Sequence, residues 1–239
     1  MERMPSIIHP SWHPFLQPLF NDKRMIAIRD KLLSSDDYYP SSENIFRVFS
    51  MPLSEIKVVI LGQDPYPNGE AIGLAFAVNK NCKIPGSLRI IHKEVENTVE
   101  SPDPSTRVDK LSWITLEHWV SQGVFLLNTA LTVKRKGAGS HLTEWEWFTG
   151  EVIKIIGREA SKPLWLLWGA KAQKFKNFIP DYLIMDEQDI EMINPTNGVF
   201  IAPHPAAELY GGPQKFTGCN HFNMVNRILE LRKQEKINW

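Results

Sequence analysis

A chain of 239 residues with 43% hydrophobic and 23% charged side chains can bury a sizeable core, and that balance excludes a disordered protein. Its 27 basic and 27 acidic residues cancel, which argues against binding nucleic acid through a strong overall field and leaves a local basic groove as the alternative. Two isolated cysteines, Cys82 and Cys219, are too few for a four-cysteine centre and are expected to stay reduced; no closely spaced Cys/His set accompanies them, so neither a metal nor a cofactor is expected.

Along the chain, Met1–His9 lacks the basic-then-apolar pattern of a secretory signal, and no apolar run approaches the length of a membrane span. The expectation is therefore an intracellular protein with no membrane partner, cytoplasmic in a prokaryotic setting or nuclear in a eukaryotic or viral one. Residues 1–55 read as a helical segment, with a helix over Arg24–Leu33. Four short apolar runs come next: Val58–Leu61, Val124–Leu127, Leu164–Leu167 and Val199–Ala202. Their length and their β-branched and aromatic content predict buried strands. Between them, Leu88, Ile91, His92 and Val95 share one helical face, as do Trp145, Phe148, Val152, Ile155 and Ile156. A last helix is predicted over His221–Lys233. The alternation predicts an α/β protein: one domain over 1–239, with an α/β core from about residue 56. Its layers would be α/β/α, with a central, mainly parallel four-stranded sheet flanked by helices.

The residues just beyond each predicted strand matter more. Gly62-Gln63-Asp64-Pro65-Tyr66-Pro67 succeeds the first, Asn128-Thr129 the second, Gly169-Ala170 the third and Pro203-His204-Pro205 the fourth. Open α/β sheets bind ligands outside the carboxyl ends of their strands, so all four segments fall where a site belongs. Asp64 and His204 are titratable groups on proline-stiffened backbone. In isolation, Asp64 reads equally as an Asp-Pro turn, His204 as a loop histidine and Asn128 as a helix cap. Lys134-Arg135-Lys136 and the pair Lys80 and Lys83 are candidate basic patches, or simply solvated loops.

Gly62-Gln63-Asp64-Pro65-Tyr66 after a Val/Ile strand resembles the water-activating loop of family 1 uracil-DNA glycosylases. Gly73-Leu74-Ala75-Phe76, Pro85-Gly86-Ser87-Leu88, Gly123–Asn128, Leu166-Leu167-Trp168-Gly169 and His204-Pro205 are similar in the same order, and the likeness runs from about Trp12 to Trp239. The resemblance implies a monomer that flips uracil from single- or double-stranded DNA and hydrolyses its N-glycosidic bond. Asp64 would activate the attacking water and His204 would donate a hydrogen bond to the departing uracil. The backbone around Gln63 would contact the uracil O2 region, Tyr66 would exclude a thymine methyl, Phe76 would stack on the base and Asn128 would read its edge. Pro85, Ser87, Gly169, Ala170, Pro205, Ala206, Leu209 and Tyr210 would face DNA, with Leu209 as the first candidate for the side chain filling the vacated base position and Tyr210 as the second. DNA-mimicking inhibitor proteins are further partners implied by the family.

The pattern has departures. Pro67 stands where the family commonly has histidine, and Ala170 and Ala206 replace phosphate-gripping serines. The proline-rich loop reduces to Lys83-Ile84-Pro85-Gly86-Ser87. The segment after His204, through Glu208 and Tyr210-Gly211-Gly212-Pro213, is slightly longer than usual, and Glu208 brings a negative charge beside the DNA-facing side chains. Three other readings compete: a non-catalytic DNA-binding or scaffold protein on this fold, a hydrolase of free nucleosides or nucleotides, and metal-dependent hydrolysis at Asp64 and His204.

Overall fold

Short runs of consecutive apolar residues suit strands covered on both faces, and the chain places all four runs in its central sheet, with only Ile201 of the fourth exposed, at 41%. The computed structural model describes residues 4–99, 110–191, 197–211 and 213–239. In chain order its strands are β1 (Tyr38–Tyr39), β2 (Val58–Gly62), β3 (Val124–Asn128), β4 (Val133–Lys134), β5 (Leu164–Trp168), β6 (Tyr182–Ile184) and β7 (Asn197–Ala202). Its α-helices are α1 (His13–Phe20), α2 (Lys23–Leu33), α3 (Gly86–Thr98), α4 (Lys110–Thr115), α5 (Glu117–Val120), α6 (Leu142–Glu159), α7 (Ala170–Gln173), α8 (Pro205–Leu209) and α9 (His221–Leu231).

The central sheet has five strands in the order β3-β2-β5-β7-β6, all parallel, where the sequence predicts four. Every residue of β2, β3 and β5 is buried. The extra strand, β6, lies at an edge with Leu183 and Ile184 40% and 42% exposed. Three half-solvated residues leave little periodicity to read. In the described part of the 1–55 segment, a 3-10 turn and the two helices α1 and α2 precede β1, three further 3-10 turns follow it, and β1 pairs antiparallel with β4.

Helix α6 follows from its spacing. Trp145, Phe148, Val152, Ile153 and Ile156 are buried on its inner stripe, whereas Ile155 sits at its margin, half-buried. On α3 the inner stripe is Leu88, Ile91, Glu94 and Val95; His92 is half-buried, with its Nε2 3.0 Å from the Trp113 carbonyl. The amino-terminal helices join the same core. The Trp12 ring stacks on Phe125 of β3 at 5.4 Å, and its indole N–H donates to the Met51 carbonyl at 2.8 Å. Buried aromatic pairs of this kind contribute roughly 0.5–1.5 kcal/mol beyond their area. Both cysteines are free thiols, and burial pushes Cys219 up to about 12. Among the described residues no helix is long and apolar enough to cross a membrane.

Parallel pairing has one consequence for function. The carboxyl ends of β2, β3, β5 and β7 all emerge on one side, with Gly62 opposite Asn128 and Trp168 opposite Ala202. From β2 the chain steps to β3 on one side, then returns to β5 on the other and continues outward to β6 and β7, so the direction of winding reverses between β2 and β5, where such sheets open a crevice.

Candidate active site

Strand β2 ends in a glycine because its neighbour on β3 needs the space. A Cβ at Gly62 would lie 2.4 Å from Asn128 Oδ1 and 2.9 Å from the Ala75 methyl. The loop beyond is stitched to the segment after β3. Thr129 N–H donates to the Gly62 carbonyl at 2.9 Å, while Ala130 N–H and the Thr129 hydroxyl donate to the Gln63 carbonyl at 3.0 and 2.6 Å. This holds Asp64 at the crevice. Its Oδ1 accepts from Gln63 Nε2 at 3.0 Å and its Oδ2 from the Gly139 N–H at 2.5 Å. Burial pushes the Asp64 carboxyl above the usual range, and these two donors pull against that shift.

Gly139 belongs to a loop that the β1–β4 ladder delivers to the site. Lys136 N–H in that loop donates to the Pro67 carbonyl at 2.8 Å, joining it to the Asp64 turn. Lys134 and Arg135 are occupied elsewhere. Asp37 lies 3.8 Å from Lys134 Nζ and 3.4 Å from Arg135 Nε, and the Arg135 guanidinium sits 4.7 Å over the Tyr39 ring.

Phe76 adopts a left-handed backbone, φ 64°, a conformation that costs a non-glycine residue energy and that the surrounding structure must impose. It is imposed in part by the preceding residue, whose N–H donates to the Leu126 carbonyl at 3.0 Å. The Phe76 ring lies 5.5 Å from that of Trp168 and 6.0 Å from that of His204. Tyr66 stands opposite with its hydroxyl 3.5 Å from the Phe76 carbonyl, and burial raises its pKa.

His204 follows β7 and caps α8. Its Nδ1 accepts from the Ala206 N–H at 3.1 Å. An accepting Nδ1 carries no proton, so in the neutral ring the proton sits on Nε2. Burial pulls the His204 pKa down and favours that neutral ring. Gly169, φ 85°, makes this placement feasible, because a Cβ there would come within 2.7 Å of the His204 Cβ.

Gln63, Asp64, Tyr66, Phe76, Asn128 and His204 thus line one cleft of about 340 Å³, together with Ser87, Ala206 and Tyr210. Pro85 and Gly169 cap α3 and α7, Ala170 starts α7 and Pro205 starts α8, all outside the cleft lining. Leu209 and Tyr210 part company. Leu209 lies over Gly86, where a Cβ would fall 2.3 Å from its Cδ1, whereas Tyr210 is 86% exposed and lines the cleft. Gly212 is outside the described residues. The Glu208 charge, expected beside the DNA-facing side chains, instead turns back onto Thr217, which donates from N–H at 2.9 Å and from its hydroxyl at 2.8 and 2.9 Å. Sequence reasoning missed Ala138 and Gly139. The run Gly137-Ala138-Gly139-Ser140 was the available signal, since only small residues let backbone approach a carboxylate so closely. Among the described residues no group of three or more His, Cys, Asp or Glu side chains is placed to hold a metal ion.

A family model described as the uracil DNA glycosylase superfamily matches residues 50–230. A uracil-DNA glycosylase of Aliivibrio salmonicida is 34% identical over 97% of this chain and 97% of its own length. One from Escherichia fergusonii is 37% identical over 96% of this chain and 94% of its own length. Among solved structures, a point variant of mimivirus UNG in complex with UGI aligns with TM-score 0.78 at 25% identity, covering 98% of this chain and 89% of that one. The UNG of Nitratifractor salsuginis shares the fold, with TM-score 0.56 at 20% identity over 94% of this chain and 90% of its own. With the family model spanning most of the sequence and curated relatives aligned nearly end to end, the chain belongs to the uracil-DNA glycosylases, hydrolases that cleave the N-glycosyl bond of uracil in DNA repair.

Proposed function

We propose that this glycosylase acts as a monomer, extrudes uracil from single- or double-stranded DNA into the cleft, and cleaves its C1′–N1 bond between His204 and Asp64. A base in a duplex is out of reach of any side chain that must contact its edges, so extrusion precedes chemistry. In the cleft, Phe76 stacks on the ring. The Asn128 amide donates to O4 and accepts from N3–H; cytosine presents the opposite pair and would leave buried groups unmatched, at roughly 1–3 kcal/mol each. Gln63 lies at the O2 side and Tyr66 at C5.

As C1′–N1 breaks, its electron pair stays with uracil and positive charge spreads over C1′ and the ring oxygen of the sugar. His204 Nε2–H donates to O2 as that oxygen gains charge. The Asp64 carboxylate faces the sugar cation, orients water for attack at C1′ and accepts the proton released. The products are free uracil and an abasic sugar. One observation carries this reading: the hydrogen bond that occupies His204 Nδ1 leaves a proton on Nε2, in the same cleft as a carboxylate held by two donors.

Release of free base from an oligonucleotide carrying uracil, thymine or cytosine at one position tests it, with deoxyuridine assayed alongside. Uracil alone should be released, and only from DNA; comparable turnover of the free nucleoside would favour a nucleoside hydrolase. Truncating Tyr66 to Ala opens space at C5. Thymine release should then become measurable while uracil release falls, and a variant still blind to thymine would remove Tyr66 from the specificity account.

Ala206 lines the cleft where a phosphate-gripping serine is expected. Ala206→Ser is expected to tighten binding to uracil-containing DNA at fixed salt, since a hydroxyl there adds a donor for a phosphate oxygen. Unchanged or weaker affinity would contradict that role. DNA-mimicking inhibitor proteins belong to the same proposal. The complex of mimivirus UNG with UGI supports them, and competition between such a protein and DNA is the measurement that tests it.

A further inference from the structure

The segment after His204 holds an aromatic ring almost wholly in solvent, yet the turn that bears it is tied down by two carboxylates that the chemistry above does not use. Glu208 is one. Its side chain is only 14% exposed, and both oxygens are taken up by Thr217. Lys93 Nζ lies 3.9 Å away, and these hydrogen bonds hold the Glu208 carboxyl below the usual range. Glu94, one residue along α3 from Lys93, is the other. It is fully buried, and it accepts from Gly218 N–H at 2.6 Å, from Asn220 N–H at 2.7 Å and from the Cys219 thiol at 3.6 Å. The amino end of α3 completes the arrangement, because Leu209 seats on Gly86 and the adjacent Ser87 lines the cleft.

A solvated carboxylate beside a DNA-binding surface would repel phosphate. A carboxylate spent on a backbone N–H and a hydroxyl does something else: it joins residue 208 to residue 217 and lowers the entropy that the intervening chain would lose on binding. We propose that Glu208 is a positioning residue, whose bonds to Thr217 hold Tyr210 at the mouth of the cleft for contact with the DNA around the extruded base, and that Glu94 secures the far side of the same turn. The proposal rests on the uracil-excising reading of the cleft. The tie between Glu208 and Thr217 would thereby offset the serines that Ala170 and Ala206 replace.

Four variants test this: Glu208→Ala, Glu208→Gln, Thr217→Val and the double variant Glu208→Ala/Thr217→Val. A Gln can accept from the Thr217 N–H through its oxygen and donate to the hydroxyl through its NH2, so it keeps the tie without the charge. Glu208→Ala should lose about tenfold in kcat/KM on double-stranded uracil DNA, carried mainly by KM, with a smaller loss on single strands. Glu208→Gln should stay near the parent. Thr217→Val should match Glu208→Ala, and the double variant should be no worse than either.

Limited trypsinolysis at the exposed Lys215 gives a readout independent of catalysis, and cleavage should accelerate in Glu208→Ala but not in Glu208→Gln. Tighter DNA binding by both Glu208 variants would show that the residue acts only as a repelling charge and would overturn the proposal. So would parent-like kinetics and proteolysis in Glu208→Ala. If the parent protein itself released no uracil, the reading of the cleft would fail while the proteolysis comparison still judged the tie.

Discussion

Asp64→Asn is expected to lower kcat for uracil release by about 10²–10⁴-fold with little change in KM. The substitution keeps the shape of the side chain and most of its bonding. The amide oxygen can still accept from the Gly139 N–H, and Gln63 can turn its own amide to present an oxygen to the new NH2. The cleft therefore survives, and the variant should bind DNA. Two things go: the negative charge facing the sugar cation, and the base that takes the proton of the attacking water. The parent's pH profile should carry the same signature. Burial raises the Asp64 pKa, and only the carboxylate is competent, so activity should be lost as pH falls through a value above the ordinary carboxylate range. An Asn variant within a factor of about three of the parent would remove Asp64 from the chemistry.

His204→Ala should cost about 10²–10³-fold in kcat, the usual consequence of deleting one preorganised donor, or roughly 3–4 kcal/mol. The pH dependence separates the possible forms of this donor. A charged imidazolium would lose activity as pH rises through its pKa. Here burial pulls that pKa down, and the Ala206 N–H bonded to Nδ1 requires a bare nitrogen there. The neutral ring is already the working form above the lowered pKa, so kcat should not fall as pH rises through the ordinary imidazole range. A fall in kcat across that interval, absent in His204→Ala, would mean that the proton on Nδ1 matters and that the tautomer is assigned wrongly.

Much of this was legible in the residues, for identifiable reasons. Strands β2, β3 and β5 are apolar runs buried along their whole length, β7 is buried except at Ile201, and parallel pairing then carries Asp64, Asn128 and His204 to the same end of the sheet. Where burial is one-sided, the signal fades. Edge strand β6 escaped notice, and so did the two-residue β1, which matters because its pairing with β4 brings in the loop that carries Gly139.

Contacts made across long sequence separations left no local trace. The Gly139 donor to Asp64 comes from 75 positions away, and Glu94 meets Gly218 across 124. The partner of the Glu208 charge was hidden for the same reason, since nothing near it in sequence announces Thr217. Helical spacing alone puts Ile155 with Ile156 on the buried face of α6, yet the stripe through Trp145, Phe148 and Val152 keeps Ile156 and takes Ile153 in place of Ile155. The left-handed Phe76 shows the converse. Its place in the cleft was expected from its neighbours in the motif, but its left-handed backbone is visible only in three dimensions.

The central claim is that one imidazole and one carboxylate act on opposite ends of a single sugar–base bond. A crystal structure of the protein bound to DNA bearing a non-hydrolysable deoxyuridine tests it most directly. The account predicts the uracil ring against Phe76, His204 Nε2 about 2.7–3.1 Å from O2, and Asp64 across the sugar from the base with room for one water at C1′. A base lodged outside the cleft, or an O2 that His204 cannot reach while Asp64 faces away from the sugar, would contradict it.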